Sequence, residues 1–204
     1  MTHIPDTCHP EYGQPEHMKE GGLSMKRNAT FTTVVTALFA ALICVSTMLV
    51  QIPIPATGGY ANLGDGISLI CAFLMQPFCA AIAAGIGSAL ADVLAGYVAF
   101  VPGTLLIKAG VALIAGYIFR RSAKPNASGS KLVYMGAACI AAEAFMVLGY
   151  FFYEAVLLGV GMGAAGGIIG NIGQGVAGSI IACVAAPVLR RSDAVRSLAD
   201  GKGR

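Results

Sequence analysis

The sequence predicts an all-α integral membrane protein, a bundle of six transmembrane helices with both the N- and C-termini cytoplasmic. Three observations lead there. Hydrophobic residues make up 56% of the chain and charged residues 11%, with 27 Gly, a composition suited to lipid as the solvent. The apolar stretches are long, rich in Leu, Ala, Met and Ile, and lack the ten-residue alternation of a barrel strand, so helices satisfy the backbone inside hydrocarbon. Twelve of the thirteen Lys and Arg residues fall on one side of the bilayer in a six-span topology, Lys108 being the exception, and basic residues concentrate on the cytoplasmic side.

Each element follows from local chemistry. The first 24 residues are polar and contain no apolar core with a small-residue cleavage site, so they read as a disordered extension and not as a signal peptide. Met25-Lys26-Arg27 resembles a natural start, and N-terminal mass spectrometry is the test of whether translation begins there. A membrane domain is expected over residues 25–191. Its first span covers about 29–50 and ends where Pro53, Pro55, Gly58 and Gly59 forbid continuation, leaving a long structured loop. A shorter second span covers about 62–76, and Pro77 separates it from a third that reaches about residue 95. After a turn at 96–103, a fourth span over 104–119 stops at Arg120-Arg121, followed by a polar connector over 122–130. The fifth span covers about 132–155 and the sixth about 164–189, before Arg190-Arg191 and a polar cytoplasmic tail over 192–204. Lys19, Lys26, Arg27, Arg120, Arg121, Lys124, Lys131, Arg190, Arg191, Arg196, Lys202 and Arg204 then all lie inside. The six Cys show no paired spacing and read as small core residues.

Ionisable side chains within spans cost about 2.5–3.5 kcal/mol each at the helix centre, which makes them functional candidates. They are Asp65, Asp92, Lys108, Glu143 and Glu154. Asn62 and Asp65 open the second span, Asp92 and Lys108 lie about one turn below the outer ends of theirs, and Asn171 and Gln174 enter the sixth from the same side. Only Glu143 approaches mid-membrane. This distribution predicts a polar cavity in the outer half of the bundle, roofed by the first loop. Spacings of three, four and seven residues let Thr104 with Lys108, Asn171 with Gln174, and Glu143 with Tyr150 and Glu154 face inward together. A structural alternative stands beside this: Lys108 neutralising Asp92 or Glu143 as an ion pair, and Asn171 and Gln174 as interhelical hydrogen bonds. Tyr60 and Tyr97 fit an interfacial aromatic belt, whereas Tyr150 lies deeper, where a planar ligand can stack.

Rows of small residues at four-residue spacing, Ala83, Gly87 and Ala91, then Gly159, Gly163 and Gly167, and Gly166 with Gly170, allow close helix contact. Ala37 and Ala41 on the first span form a similar pair that serves either the bundle or another protein's helix. The chain carries no ATP-binding Gly-x-x-x-x-Gly-Lys-Ser/Thr loop, no His-Glu-x-x-His, no Cys/His cluster and no Gly-x-Ser-x-Gly turn. No catalysis, metal, cofactor or nucleic-acid partner is therefore expected. Nor is there a visible inverted repeat.

Certain ordered motifs resemble a known family: Asn62-Leu63-Gly64-Asp65; Gly87-Ser88-Ala89-Leu90-Ala91-Asp92 running on to Gly96-Tyr97; Pro102-Gly103-Thr104 to Lys108; Glu143, then Met146 to Glu154; and Asn171-Ile172-Gly173-Gln174. Together they resemble the substrate-binding membrane subunit, the S component, of energy-coupling factor (ECF) vitamin importers, in the branch named for riboflavin that includes proposed carriers of hydroxymethylpyrimidine and pyridoxine. The resemblance implies a binding protein in the cell membrane that captures a vitamin from outside. It implies docking on a transmembrane coupling subunit driven by two ATPase subunits, toppling in the bilayer to present the site inward, and a lid formed by residues 51–63. It also implies that Ala37 and Ala41 touch the coupling subunit. Substrate-binding candidates are Asn62, Asp65, Asp92, Tyr97, Lys108, Glu143, Tyr150, Asn171 and Gln174. The competing readings are a stand-alone secondary transporter of a small polar metabolite, in which Lys108, Asp92 and Glu143 relay an ion, and a structural membrane protein with no ligand.

Overall fold

The computed structural model describes residues 20–122 and 131–191. The first nineteen residues of the expected extension, the connector from 123 to 130, the tail from 192, and with them Lys19, Lys124, Arg196, Lys202 and Arg204, lie outside the described residues. Among the described residues there are six α-helices: α1 (Glu20–Leu49), α2 (Gly64–Leu74), α3 (Pro77–Leu94), α4 (Val101–Ser122), α5 (Lys131–Phe152) and α6 (Ala165–Leu189). Five helical segments among these residues are long and apolar enough to cross a bilayer, and α2 is not one of them. Its 11 residues rise about 16 Å, roughly half of a ~30 Å hydrocarbon core. The expected second span is therefore a half-length helix.

The expected long loop is an antiparallel hairpin, β1 (Gln51–Ile54) with β2 (Gly59–Asn62), paired Gln51 to Asn62 and Ile54 to Gly59. Pro53 is tolerated because a two-stranded ribbon has only edges. The Ile54 carbonyl accepts from the Thr57 and Gly58 amides at 3.2 and 3.0 Å, and Gly58 takes φ +71°, a left-handed value that favours glycine.

Caps explain where α2 sits. At its start the Gly64 amide donates to Asn62 Oδ1 at 2.9 Å. At its end the orphan carbonyls of Phe73 and Met75 accept from Arg190 Nη1 at 2.6 Å and Arg120 Nη2 at 2.9 Å, which satisfies backbone groups that no helix partner can reach. Thus α2 fills the end of the bundle that carries the arginines, and the hairpin closes the other. Pro77 opens α3 at a position needing no amide donor. Its far end closes with Gly96 at φ +84° and the Tyr97 amide donating to the Asp92 carbonyl at 2.8 Å, the bonding pattern of a helix stopped by glycine.

The core surrounds α2. Leu69 and Phe73 pack with Ile43, Val111 and Met146, all buried, and the Phe73 and Phe119 rings lie 5.0 Å apart. Large apolar side chains such as Leu38, Leu49, Ile140, Ile169 and Val184 cover the outside. In water that surface is an aggregation hazard; in lipid it is matched to the solvent. Of the small-residue rows, Gly87 receives α1 so closely that an added Cβ meets the Ala40 carbonyl oxygen at 2.4 Å. The described cysteines are all free thiols, with Cys44, Cys71 and Cys139 buried and Cys79 and Cys183 partly so.

Candidate functional site

Between the hairpin and the start of α2 the helices enclose a small cavity, in which the centre of a water-sized sphere has about 20 Å³ to move. That is room for about one water. Asn62 from β2, Asp92 from α3, Tyr150 from α5, and Asn171 and Gln174 from α6 line it, five of the nine predicted residues. The wall also contains Thr47, Ile54, Tyr60, Phe100, Thr104 and Glu154. Thr47 and Ser46 are the polar residues in the last turn of α1, and only the folded chain shows which of them lines the cavity. Ile54 and Phe100 carry no polar signal, because only the hairpin and the 3-10 turn at Val98–Phe100 bring them inward.

Tyr60 belongs to the cavity wall and not to an aromatic belt alone. Its hydroxyl donates to Asp92 Oδ1 at 2.6 Å. Burial first, and then the adjacent Asp92 carboxylate, push the Tyr60 phenol above its ordinary pKa, so it remains a neutral donor. Tyr97 stacks behind it, ring centroids 4.5 Å apart, and supports the wall without lining it. Tyr150 donates to Thr104 Oγ1 at 3.1 Å.

Below the cavity lies a buried ionic group. Lys108 Nζ donates to Asp65 Oδ1 at 2.5 Å, with side-chain exposures of 2% and 0%. The partner is Asp65 rather than the expected Asp92 or Glu143. Gln174 Nε2 donates to Asp65 Oδ2 at 2.5 Å, and Gln174 Oε1 accepts from the Asn62 amide at 2.6 Å. One glutamine thus ties α6 to α2 and to the hairpin. Met146 Sδ lies 3.4 Å from Lys108 Nζ and 3.2 Å from Gln174 Nε2, and the Tyr150 ring centroid is 5.5 Å from Nζ. Lys108 is seven residues into α4, about 10 Å down its axis and deeper than the single turn expected, because α4 starts at Val101. Asp65 and Lys108 are absent from the cavity wall; so is Glu143, whose carboxylate abuts Gly175 with both oxygens buried and unpartnered.

Other buried polar atoms lack partners at the cavity itself: Thr47 Oγ1, Asp92 Oδ2 and Glu154 Oε2. Native interiors rarely leave such atoms unpaired. Glu154 is placed by a single π-helical turn, Tyr153–Leu157, that follows α5. Such local widening re-aims a side chain, and here Glu154 Oε2 comes to lie against Gly167 beside Thr57. Among the described residues no three His, Cys, Asp or Glu gather as a metal site.

The roof is held by α6 glycines. Cβ atoms added at Gly166 and Gly170 meet Ala56 Cβ at 2.5 Å and Ile54 Cδ1 at 2.7 Å. This glycine pair, expected to pack helix on helix, seats the hairpin. Elsewhere, Ala37 and Ala41 are exposed in an apolar groove between α1 and α3 that also includes Thr33, Ile82, Ile86 and Leu90.

A family model described as ECF-type riboflavin transporter, S component, matches residues 27–191. The chain belongs to this family. An S component is a transport subunit and not an enzyme, and family membership together with the long apolar helices makes the chain a multi-pass protein of the cell membrane. It is also similar to an "Uncharacterized protein in gap 3'region" from Pyrococcus woesei, 38% identical over 119 residues that cover 58% of this chain and 75% of the relative.

Proposed function

We propose that this S component captures a B-vitamin or vitamin precursor of the riboflavin, hydroxymethylpyrimidine or pyridoxine class from outside the cell. It then delivers the vitamin to a coupling subunit driven by two ATPases. The observation that carries the reading is the hairpin-roofed cavity, whose wall combines aromatic rings, three amides and buried polar atoms without partners, the mixture that small-molecule sites use. A ligand of this size needs a few hundred Å³, so entry requires the hairpin to lift from α6 and the wall to expand. Asn62, Asp92, Tyr150, Asn171 and Gln174 contact the ligand in this reading, while Asp65, Lys108 and Tyr97 hold the wall in place. Ala37 and Ala41, exposed on their groove, accept the coupling subunit's helices, since small residues permit close approach. Both termini and the arginine-bearing end face the cytoplasm.

The deciding experiment is mass spectrometry of small molecules retained by the purified protein, paired with uptake in vesicles with and without coupling and ATPase subunits. A retained heterocyclic vitamin and uptake only with the ATPases are expected. Uptake by the protein alone sinks the proposal. That result belongs to a second reading, a secondary transporter, favoured by Glu143, whose two unpartnered oxygens suit an ion or proton relay with Asp65 and Lys108.

A further inference from the structure

We infer that the arginine-bearing end of the bundle carries a seat for the phosphate of an anionic phospholipid, formed by Arg120, Arg121 and Tyr117 of α4 with Pro77 of α3. The seat shares no lining residue with the hairpin-roofed cavity. It draws on the orientation proposed above only for the leaflet: with this end inside, the lipid comes from the cytoplasmic side.

The seat follows from how α4 meets the turn between α2 and α3. Gly116 brings α4 against that turn, where an added Cβ meets the Ala72 carbonyl oxygen at 3.2 Å and Pro77 Cα at 3.3 Å. One turn further along α4, Arg120 is fixed in place by its Nη2, which donates to the Met75 carbonyl at 2.9 Å. These contacts leave a hollow of about 310 Å³ lined by Pro77, Tyr117, Arg120 and Arg121, far more room than a single water needs. Arg121 is exposed and has no ion pair or hydrogen bond among the described residues. Its guanidinium carbon lies 5.9 Å from the Tyr117 ring centroid, a contact that orders the cation without neutralising it.

Charge selects an anion here, and the surroundings select a lipid. Two arginines line the hollow and no carboxylate does; guanidinium forks match the spacing of phosphate oxygens. Beside them stand apolar surfaces: the Tyr117 ring, 59% exposed, and Phe78, 70% exposed and adjacent in the chain to Pro77. A free phosphate gains nothing from these rings. A phospholipid uses both features, its phosphate on the arginines and its acyl chains along Tyr117 and Phe78. Basic pockets between helices at the cytoplasmic end bind anionic headgroups in this way, and an aromatic ring beside them sits at headgroup depth.

The test titrates the delipidated, detergent-purified full chain with dioleoylphosphatidylglycerol, dioleoylphosphatidylcholine or glycerol 3-phosphate, read by native mass spectrometry and melting temperature. Phosphatidylglycerol should bind at least about tenfold more tightly than phosphatidylcholine, and Arg121→Gln should weaken it about fivefold, the effect of one charge near the surface. Arg121→Lys should fall between the two. Arg191→Gln, at the same end but outside the hollow, should change it less than about twofold. Equal binding of the two lipids, or equal weakening by Arg121→Gln and Arg191→Gln, reports only diffuse attraction and overturns the seat. Stabilisation by glycerol 3-phosphate equal to that by phosphatidylglycerol overturns the lipid as its occupant. Unchanged phosphatidylglycerol binding in Arg121→Gln, with uptake by the coupled system impaired, assigns the arginine to an acidic partner protein and also overturns it. Should Arg121→Gln fail to fold, the two lipids compared on the parent and on Arg121→Lys still decide.

Discussion

Lys108, singled out for ligand chemistry, stands in the structure in a buried pair with Asp65. A buried ammonium is costly unless paired, and Asp65 and Gln174 supply its neighbourhood. Lys108→Met removes one charge and leaves Asp65 buried and uncompensated, so a loss of about 3–5 kcal/mol is expected. Thermal unfolding in detergent measures it, and the double variant Lys108→Met with Asp65→Leu should recover a substantial part. An unchanged melting temperature in the single variant contradicts the structural role. Asp92 contrasts with this pair: one oxygen is bonded to Tyr60 and the other is vacant. Its neighbours leave it able to meet a ligand, whereas those of Asp65 do not.

Among the elements, the hairpin and α1 carry the testable consequences. Gly166→Ala places a methyl 2.5 Å from Ala56 Cβ, so the hairpin must lift, at a cost of about 1–3 kcal/mol. Retained ligand should dissociate about tenfold faster, and a cysteine placed at Ala56 should label more readily, with helical content unchanged. Slow labelling identical to that of the parent contradicts the seating of the roof on α6. Replacing Ala37 or Ala41 by Leu is expected to act differently, because both are exposed in a groove that shares no lining residue with the cavity. Ligand affinity should stay within about twofold, while uptake with the ATPase subunits falls at least about tenfold, since close helix approach tolerates little added bulk. Loss of binding in these variants would mean that the groove serves internal packing. Ala40, the residue that meets Gly87, is the internal contact of that face.

At the scale of the whole molecule, polar and apolar interiors are separated along the bundle. The end holding α2 is a dense apolar core capped by Arg120 and Arg190, and the end holding the hairpin is polar and nearly closed. This asymmetry suits a binder that opens on one side only. With the arginines inside, a membrane-impermeant maleimide added to intact cells should label a cysteine at Ala56 and spare one at Arg191. The reverse pattern contradicts the orientation. Six spans counted from sequence became five long helices plus a short α2.

The sequence by itself determined the solvent, the helices and most of their ends, because hydropathy, prolines, glycines and arginine pairs act locally. It also supplied the family, and it singled out Asn62, Asp92, Tyr150, Asn171 and Gln174, which the fold gathers around one cavity, since polar groups in lipid have few places to go. Tertiary structure alone decided which polar groups satisfy one another. The Asp65–Lys108 pair joins residues 43 positions apart and Gln174 reaches Asp65 across 109, so neither partnership follows from periodicity within one helix. The same holds for the roof: Gly166 and Gly170 have the spacing of a helix contact, and only the folded chain puts a hairpin, and not a helix, against them. Spacing tells which side chains share a face; what that face meets depends on the other elements packed against it.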